Sequence, residues 1–295
     1  MVIKLLQSSH IKNINEKEKN KMINSKINWT DHSLNFWIGC KKIREGCANC
    51  YMFREQKRYG DDPANIHRTT QNTWNQVNKF KPGEKVFVCS WGDFFIEEAD
   101  PWRDEAWAVM RKRPDLIWIL LTKRIENVRE RLPADWGDGW PNVIGMVTAE
   151  NQKWADHDIP ILINLPFRWK GISIEPMLGP IDLDKTCGPT WCWRAEISWI
   201  ICGGESGPGA RPMHPDWPKV LRDQCGNMEI PFFMKQWGEW CWPEQMPDDT
   251  YLEIDAQYGQ TMGAENEPYR VGKKKAGRLL DGKEWNQFPD MKNEG

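Results

Sequence analysis

Five short apolar runs, at 85–89, 116–121, 143–147, 169–174 and 198–202, recur along the middle of the chain, each rich in branched or aromatic residues and closed by polar or turn-forming ones. Runs of this length and composition read as strands rather than helices. A run at 36–38 is placed to open the series and one at 231–234 to close it. Between them lie stretches with helical character at 49–59, 104–112, 125–131 and 215–224, one led by Pro101 and Asp104 and another by Pro215 and Asp216. Strands alternating with helices at this spacing predict βα units and a parallel sheet. Six or seven such units describe an α/β fold of the partial (β/α)6 TIM-barrel type, with a doubly wound sheet as the alternative.

The polar residues at the end of each run favour the barrel. Ser90 and Asp93 come after the first, Thr122, Lys123 and Arg124 after the second, and Thr148, Glu150 and Asn151 after the third. Glu175 comes after the fourth, Gly203, Gly204 and Glu205 after the fifth, and Lys235 after the closing run. In a βα barrel these positions gather on the C-terminal rim, where active sites are built. The polarity of loops in general accounts for part of the pattern. Lys123, Arg124, Arg211 and Lys235 can pair with Glu150, Glu175 and Glu205 in a structural network, or hold a substrate phosphate or carboxylate. Glu175, Glu205 and Lys235 are the candidate catalytic groups.

Composition limits what surrounds this rim. With 295 residues and a formal charge of −2, the chain has no global basic signature, so any nucleic-acid contact has to come from a local patch. The 19 Trp supply core, and indoles also stack on planar ligands such as bases. Residues 1–26 are polar and rich in Lys and Asn and read as a flexible tail, 27–240 as the barrel, and 241–295 as a C-terminal extension. In that extension Lys273, Lys274, Lys275 and Arg278 precede an Asp281-Gly282 turn, a pattern that reads as a solvated hairpin, with phosphate contact as the alternative. No apolar run reaches the ~18 residues needed to span a bilayer, and the expected location is cytoplasmic. In that compartment nine Cys read as metal ligands, catalytic groups or buried thiols rather than disulfides.

The segment Gly39-Cys40-Lys41-Lys42-Ile43-Arg44-Glu45-Gly46-Cys47-Ala48-Asn49-Cys50-Tyr51 has C-x6-C-x2-C spacing. Three thiolates from one loop leave one coordination position open. On a four-iron cluster that position accepts an outside ligand, whereas electron-transfer clusters use four Cys. A Cys3His zinc site completed by His32 or His67 satisfies the same spacing, and three buried thiols are a third reading. The place of the loop, after the first strand and on the polar rim, favours the cluster. Cys89 and Cys202 fall inside expected strands and read as core. Cys187 and Cys192, with Cys225 or Cys241, read as free thiols or as a second metal site.

A three-cysteine loop after the first strand resembles the radical S-adenosylmethionine superfamily. The chain resembles more closely the bacteriophage Gp37/Gp68-like proteins, a DUF5131-type family, in Trp29-Thr30-Asp31 and in the stretches 39–51, 90–94, 120–124, 173–176, 203–212, 235–238 and 272–289. The resemblance implies a [4Fe-4S] cluster on Cys40, Cys47 and Cys50 and S-adenosyl-L-methionine at its open iron, yielding a 5′-deoxyadenosyl radical. It implies Ser90 and Asp93 near the cofactor's amino group, Thr148, Glu150 and Asn151 near its ribose, and Gly203 and Gly204 near adenine or substrate. Six residues here separate the first two Cys, where most of the superfamily has three. Asn49 occupies the usual aromatic position before the last Cys, with Tyr51 on the other side as its substitute. The expected partners are a nucleic-acid base or nucleotide as substrate and a flavodoxin or ferredoxin as electron donor, with no membrane. The alternative function is a non-catalytic zinc or iron–sulfur module that binds nucleic acid or a partner protein.

Overall fold

Seven parallel strands form one sheet in the computed structural model, which describes residues 27–187, 196–245 and 267–291. In chain order the strands are β1 (His32–Leu34), β2 (Trp37–Ile38), β3 (His67–Arg68), β4 (Lys85–Val88), β5 (Ile117–Thr122) and β6 (Val143–Thr148), followed by β7 (Trp169–Ile174), β8 (Trp199–Gly203), β9 (Phe232–Gln236), β10 (Trp240–Cys241) and β11 (Tyr269–Arg270). The sheet runs β1-β4-β5-β6-β7-β8-β9. Its order never reverses, so it has the winding of a barrel and not the switch point of a doubly wound sheet. It holds one strand more than a six-unit barrel.

The opening strand lies earlier than expected. His32, Ser33 and Leu34 pair with Val86, Phe87 and Val88, while Trp37 and Ile38 leave the sheet to form an antiparallel ribbon with β3. His32 hides the strand in the sequence: its Nε2 meets Glu84 Oε2 at 2.7 Å and its ring stacks on Phe80 at 4.0 Å. Both contacts take His32 out of any site with the three cysteines.

Four longer helices are α1 (Tyr51–Arg58), α2 (Asp100–Arg111), α3 (Gln152–Ile163) and α4 (Asp216–Asn227). α2 begins four residues before the expected start, with Pro101 in its first turn, where a missing N–H costs nothing. The sequence pattern does not predict α3. Pro160 interrupts that pattern, yet Asn151 caps the helix by accepting from the Trp154 N–H at 3.2 Å. The helix expected at 125–131 is instead two 3-10 turns, Ile125–Asn127 and Arg129–Arg131. Leu132 is extended ahead of Pro133, which stops a helix from continuing.

Trp29 reports the curl of the sheet. Its ring lies 4.7 Å from Phe87 on β4 and 6.0 Å from Trp199 on β8. In a flat sheet four strand spacings would separate those residues by about 19 Å. One indole reaches both because the sheet curls into a half-barrel around it. Ile119, Ile144, Met146, Ile201 and Phe233 complete this inner cluster, and Val86, Val88, Trp118 and Leu120 face the outer layer. Burying each large inner side chain contributes roughly 1.5–3 kcal/mol.

The C-terminal segment returns to the sheet. Trp285 O accepts from the Met234 N–H at 2.9 Å, the Gln287 N–H donates to Phe232 O at 3.2 Å, and Asn286 bridges Phe233. This covers the β9 edge, which would otherwise offer unpaired backbone groups. The Asp281-Gly282 turn forms as expected, with φ of 51° and 72° and Leu280 paired to Lys283. No helix among the described residues is long and apolar enough to cross a membrane.

Candidate functional site

The three cysteines lie on a loop that the rim of the sheet fixes from three directions. At its entry Gly39 has φ 102° and pairs with Gly92 in the loop after β4; a Cβ on Gly39 would come within 2.7 Å of Asn65 O. The Cys40 N–H donates to Pro63 O at 2.9 Å. A 3-10 turn, Glu45–Cys47, comes next, and the Cys50 N–H donates to Cys47 O at 3.3 Å just before α1 begins. Cys47 and Cys50 are thus one turn apart.

Beneath the loop Arg44 is buried. Its Nε donates to Glu150 Oε1 at 3.2 Å, its Nη1 to Asp158 Oδ2 at 2.6 Å and its Nη2 to Thr148 O at 2.5 Å, and its guanidinium lies over the Trp154 ring at 4.4 Å. Gly46 packs so closely that a Cβ would lie 1.9 Å from Glu150 Oε1. Asn151 Nδ2 donates to Glu45 Oε1 at 2.7 Å, and this bond leads the causes that hold Glu45 below the usual carboxylate range. Glu150 and Asn151 therefore face the underside of the cysteine loop.

Glu205 holds the loop from β8. It accepts from Asn49 Nδ2 at 3.0 Å, from the Arg211 N–H at 2.8 Å and from the Arg211 guanidinium at 2.9 and 2.6 Å. Burial opposes ionisation of Glu205, but the bonds from Arg211 and Asn49 prevail and lower its pKa. Arg211 also donates to Glu45 O at 3.1 Å. Asn49 thus ties the loop to the strand end after β8.

A cavity of about 970 Å³ opens between this loop and the strand ends, with Trp29, Ser33 and Phe87 also in its lining. That volume accommodates a cofactor-sized or drug-sized molecule. Cys40, Cys47, Cys50 and Tyr51 line it from the loop. Ser90, Asp93, Thr148 and Glu175 line it from the strand ends, as do Gly204, Glu205 and Lys235. Gly203 is not in the wall; Gly204 is, and it must be glycine, because a Cβ would lie 1.9 Å from Trp237 O.

The Asp93 carboxylate accepts from Thr122 Oγ1 at 2.8 Å and from the N–H groups of Phe95 and Lys123 at 2.9 and 3.0 Å, so it fixes the loop after β4. Tyr51 donates its hydroxyl to Ser90 O. Lys235 pairs with Glu175 across the wall. Burial pushes the Cys40 thiol up to about 12, with Asp93 adding to the effect, Arg124 opposing it, and Cys47 and Cys50 contributing further. A metal centre would have to displace that proton, which is how soft ions bind thiols. The three sulfurs do not all lie within 4.8 Å of one another; the group of ligand atoms that does so among the described residues is Glu126, His157 and Asp158.

A family described as Protein of unknown function (DUF5131) matches residues 24–289. The chain belongs to that family. No curated protein matches it. Among solved structures, spore photoproduct lyase complexed with dinucleoside spore photoproduct aligns at 12% identity and a TM-score of 0.37, over 82% of this chain and 64% of that one. The chain thus spans just under two thirds of that protein's length.

Several residues of the DUF5131 chain that shape the site are not expected from its sequence. Arg44 lies inside the cysteine motif, where it reads as one more loop cation. Ser173 lies in the wall, but inside a strand, where a polar residue reads as incidental. Thr148 Oγ1, Ser173 Oγ and Gln236 Oε1 are buried with no partner among the described residues. Orphaned buried polar atoms cost about 1–3 kcal/mol each, so a cluster of them in a cavity wall marks where a ligand or water belongs. Lys273, Lys274 and Arg278, expected on a solvated hairpin, line the same cavity. Cys225 and Cys241 are buried apart from it; Cys192 and the side chain of Cys187 lie outside the described residues.

Proposed function

We propose that this DUF5131 protein is a radical S-adenosylmethionine enzyme built on a radical SAM-like partial barrel, with Cys40, Cys47 and Cys50 as ligands of a [4Fe-4S] cluster. The observation that carries the proposal is the seating of all three cysteines on one braced loop at the rim of a curled parallel sheet, in the wall of a cavity. The donor set fits the group: three thiols, one position left open, and a wall of polar atoms without partners. When bound, the cluster and S-adenosylmethionine supply one-electron cleavage of the sulfonium and hydrogen-atom abstraction from a substrate.

The chain's own residues bind, orient and exclude water. The three extra residues in the motif bring Arg44 under the loop, so the longer spacing is braced and not slack. Asp93, saturated by three donors, holds Ser90 and Gly92 beside Cys40 for the cofactor's amino group. Thr148, Ser173 and Gln236 offer unpartnered atoms to hydroxyl or amide groups of a ligand. Lys235 and Glu175 share a proton-bearing contact in the wall, where they can orient a substrate or exchange a proton with it. Glu205 is consumed by Arg211 and Asn49 and acts as a positioning residue. Trp29 and Phe87 add apolar surface to the wall. A small flavodoxin or ferredoxin is the expected electron donor.

The test is anaerobic reconstitution with iron and sulfide, reduction, and addition of S-adenosylmethionine. Formation of 5′-deoxyadenosine and methionine is expected. A fully iron-loaded protein that leaves S-adenosylmethionine intact would overturn the proposal.

A further inference from the structure

The cavity wall is far more cationic than the chain. Seven Lys and Arg line it against three carboxylates, in a protein whose formal charge is −2. Most of these cations are engaged. Lys41 pairs with Glu98, Lys123 lies 3.7 Å from Glu150, Lys235 pairs with Glu175, and Arg278 donates to Met234 O and Asn286. Lys273 and Lys274 differ: among the described residues neither ammonium has a carboxylate within 4.0 Å. Desolvation, and then the like charge of Lys235, hold Lys273 below the ordinary lysine range against the weaker pull of Glu175 and Glu239. Two adjacent lysines in a cavity wall, neither held in an ion pair and the first beside Lys235, form a site that an anion completes.

The rest of the wall indicates which anion. Trp29, Tyr51, Phe53 and Trp91 present aromatic surface to the cavity, and Ser173 Oγ and Gln236 Oε1 are buried there without partners. Aromatic faces take a base, and unpartnered polar atoms take its edge or a sugar hydroxyl. We infer that the substrate carries a nucleotide, free or within a single strand, whose phosphate is gripped by Lys273 and Lys274 on the C-terminal segment while its base and sugar enter the cavity. That the ligand is a substrate rests on the radical enzyme reading; that it binds does not.

Binding is therefore measured on the protein without iron, by calorimetry, using deoxynucleoside 5′-monophosphates, the matching nucleosides and a short single-stranded oligodeoxynucleotide. The nucleotide or the oligonucleotide is expected to bind about tenfold or more tighter than the nucleoside. Replacing Lys273→Gln with Lys274→Gln should remove that advantage, while Lys275→Gln, on the same short helix but outside the wall, should keep it. If the oligonucleotide is preferred, each lysine removed should flatten the salt dependence by about 0.7 in logarithmic slope. Preference for the mononucleotide identifies a free nucleotide. Either preference supports the inference. Equal affinity for nucleoside and nucleotide, no binding of any, or parental affinity in the double variant would each overturn it. An intact phosphate site on a protein that fails to cleave S-adenosylmethionine would sink the enzyme reading alone.

Discussion

Replacing Arg44→Met is expected to destabilise the protein by about 3–5 kcal/mol and to loosen its hold on iron. Glu150 and Asp158 are 0% and 1% exposed, and the Arg44 guanidinium is the cation bonded to both. Without it two carboxylates remain buried, and removing one partner of such a network costs much more than the network itself contributes. The Thr148 carbonyl and the Trp154 face lose their contact as well. Urea denaturation measures the loss. Adding Glu150→Gln and Asp158→Asn should recover a substantial part, because neutral amides are cheaper to bury than carboxylates left with only Lys123 and His157 beside them. A single variant within about 0.5 kcal/mol of the parent, the range of ordinary surface changes, would show that Arg44 does not brace the loop.

The second large effect falls on metal content and not on stability. The triple variant Cys40→Ala, Cys47→Ala, Cys50→Ala should fall from about four irons per chain to background after anaerobic reconstitution. Its unfolding midpoint without iron should fall only modestly, since Cys40 and Cys50 are partly exposed and Cys47, though buried, is a small side chain at the cavity wall. Cys89 and Cys202 serve as controls. Burial raises both thiols, that of Cys89 to about 12, and both pack in the hydrophobic core. Cys89→Ala and Cys202→Ala should keep the iron and lose some stability instead. Elemental analysis with sulfide determination separates the two classes. Retention of iron in the triple variant would remove these cysteines from the ligand set.

The strands are legible because a parallel sheet buried on both faces demands continuous apolar runs, and all five central runs match strands to within a residue at each end. β1 is not, because His32 and Ser33 sit in a strand whose partners, Glu84 and Phe80 among them, lie far along the chain. α3 is hidden because Pro160 breaks the local pattern, while the Asn151 cap and its packing carry the helix. At the site, the cysteine spacing and the polar strand ends can be read directly. Which polar groups pair with one another cannot. Glu205 and Glu150 look identical to Glu175 in sequence, but the first two brace the loop while the third shares a cavity wall with Lys235. The cations at 273–278 look solvated because nothing local reveals that the segment after them folds back onto β9.

The central claim is that three loop thiols hold a cluster whose open position takes S-adenosylmethionine. Its most direct test is the EPR spectrum of the anaerobically reduced protein, recorded with and without S-adenosylmethionine. The expected result is a reduced four-iron signal that shifts when the cofactor is added and is absent from the triple cysteine variant. A four-iron signal that S-adenosylmethionine leaves unchanged, or a protein that takes up one zinc and no iron, would contradict it.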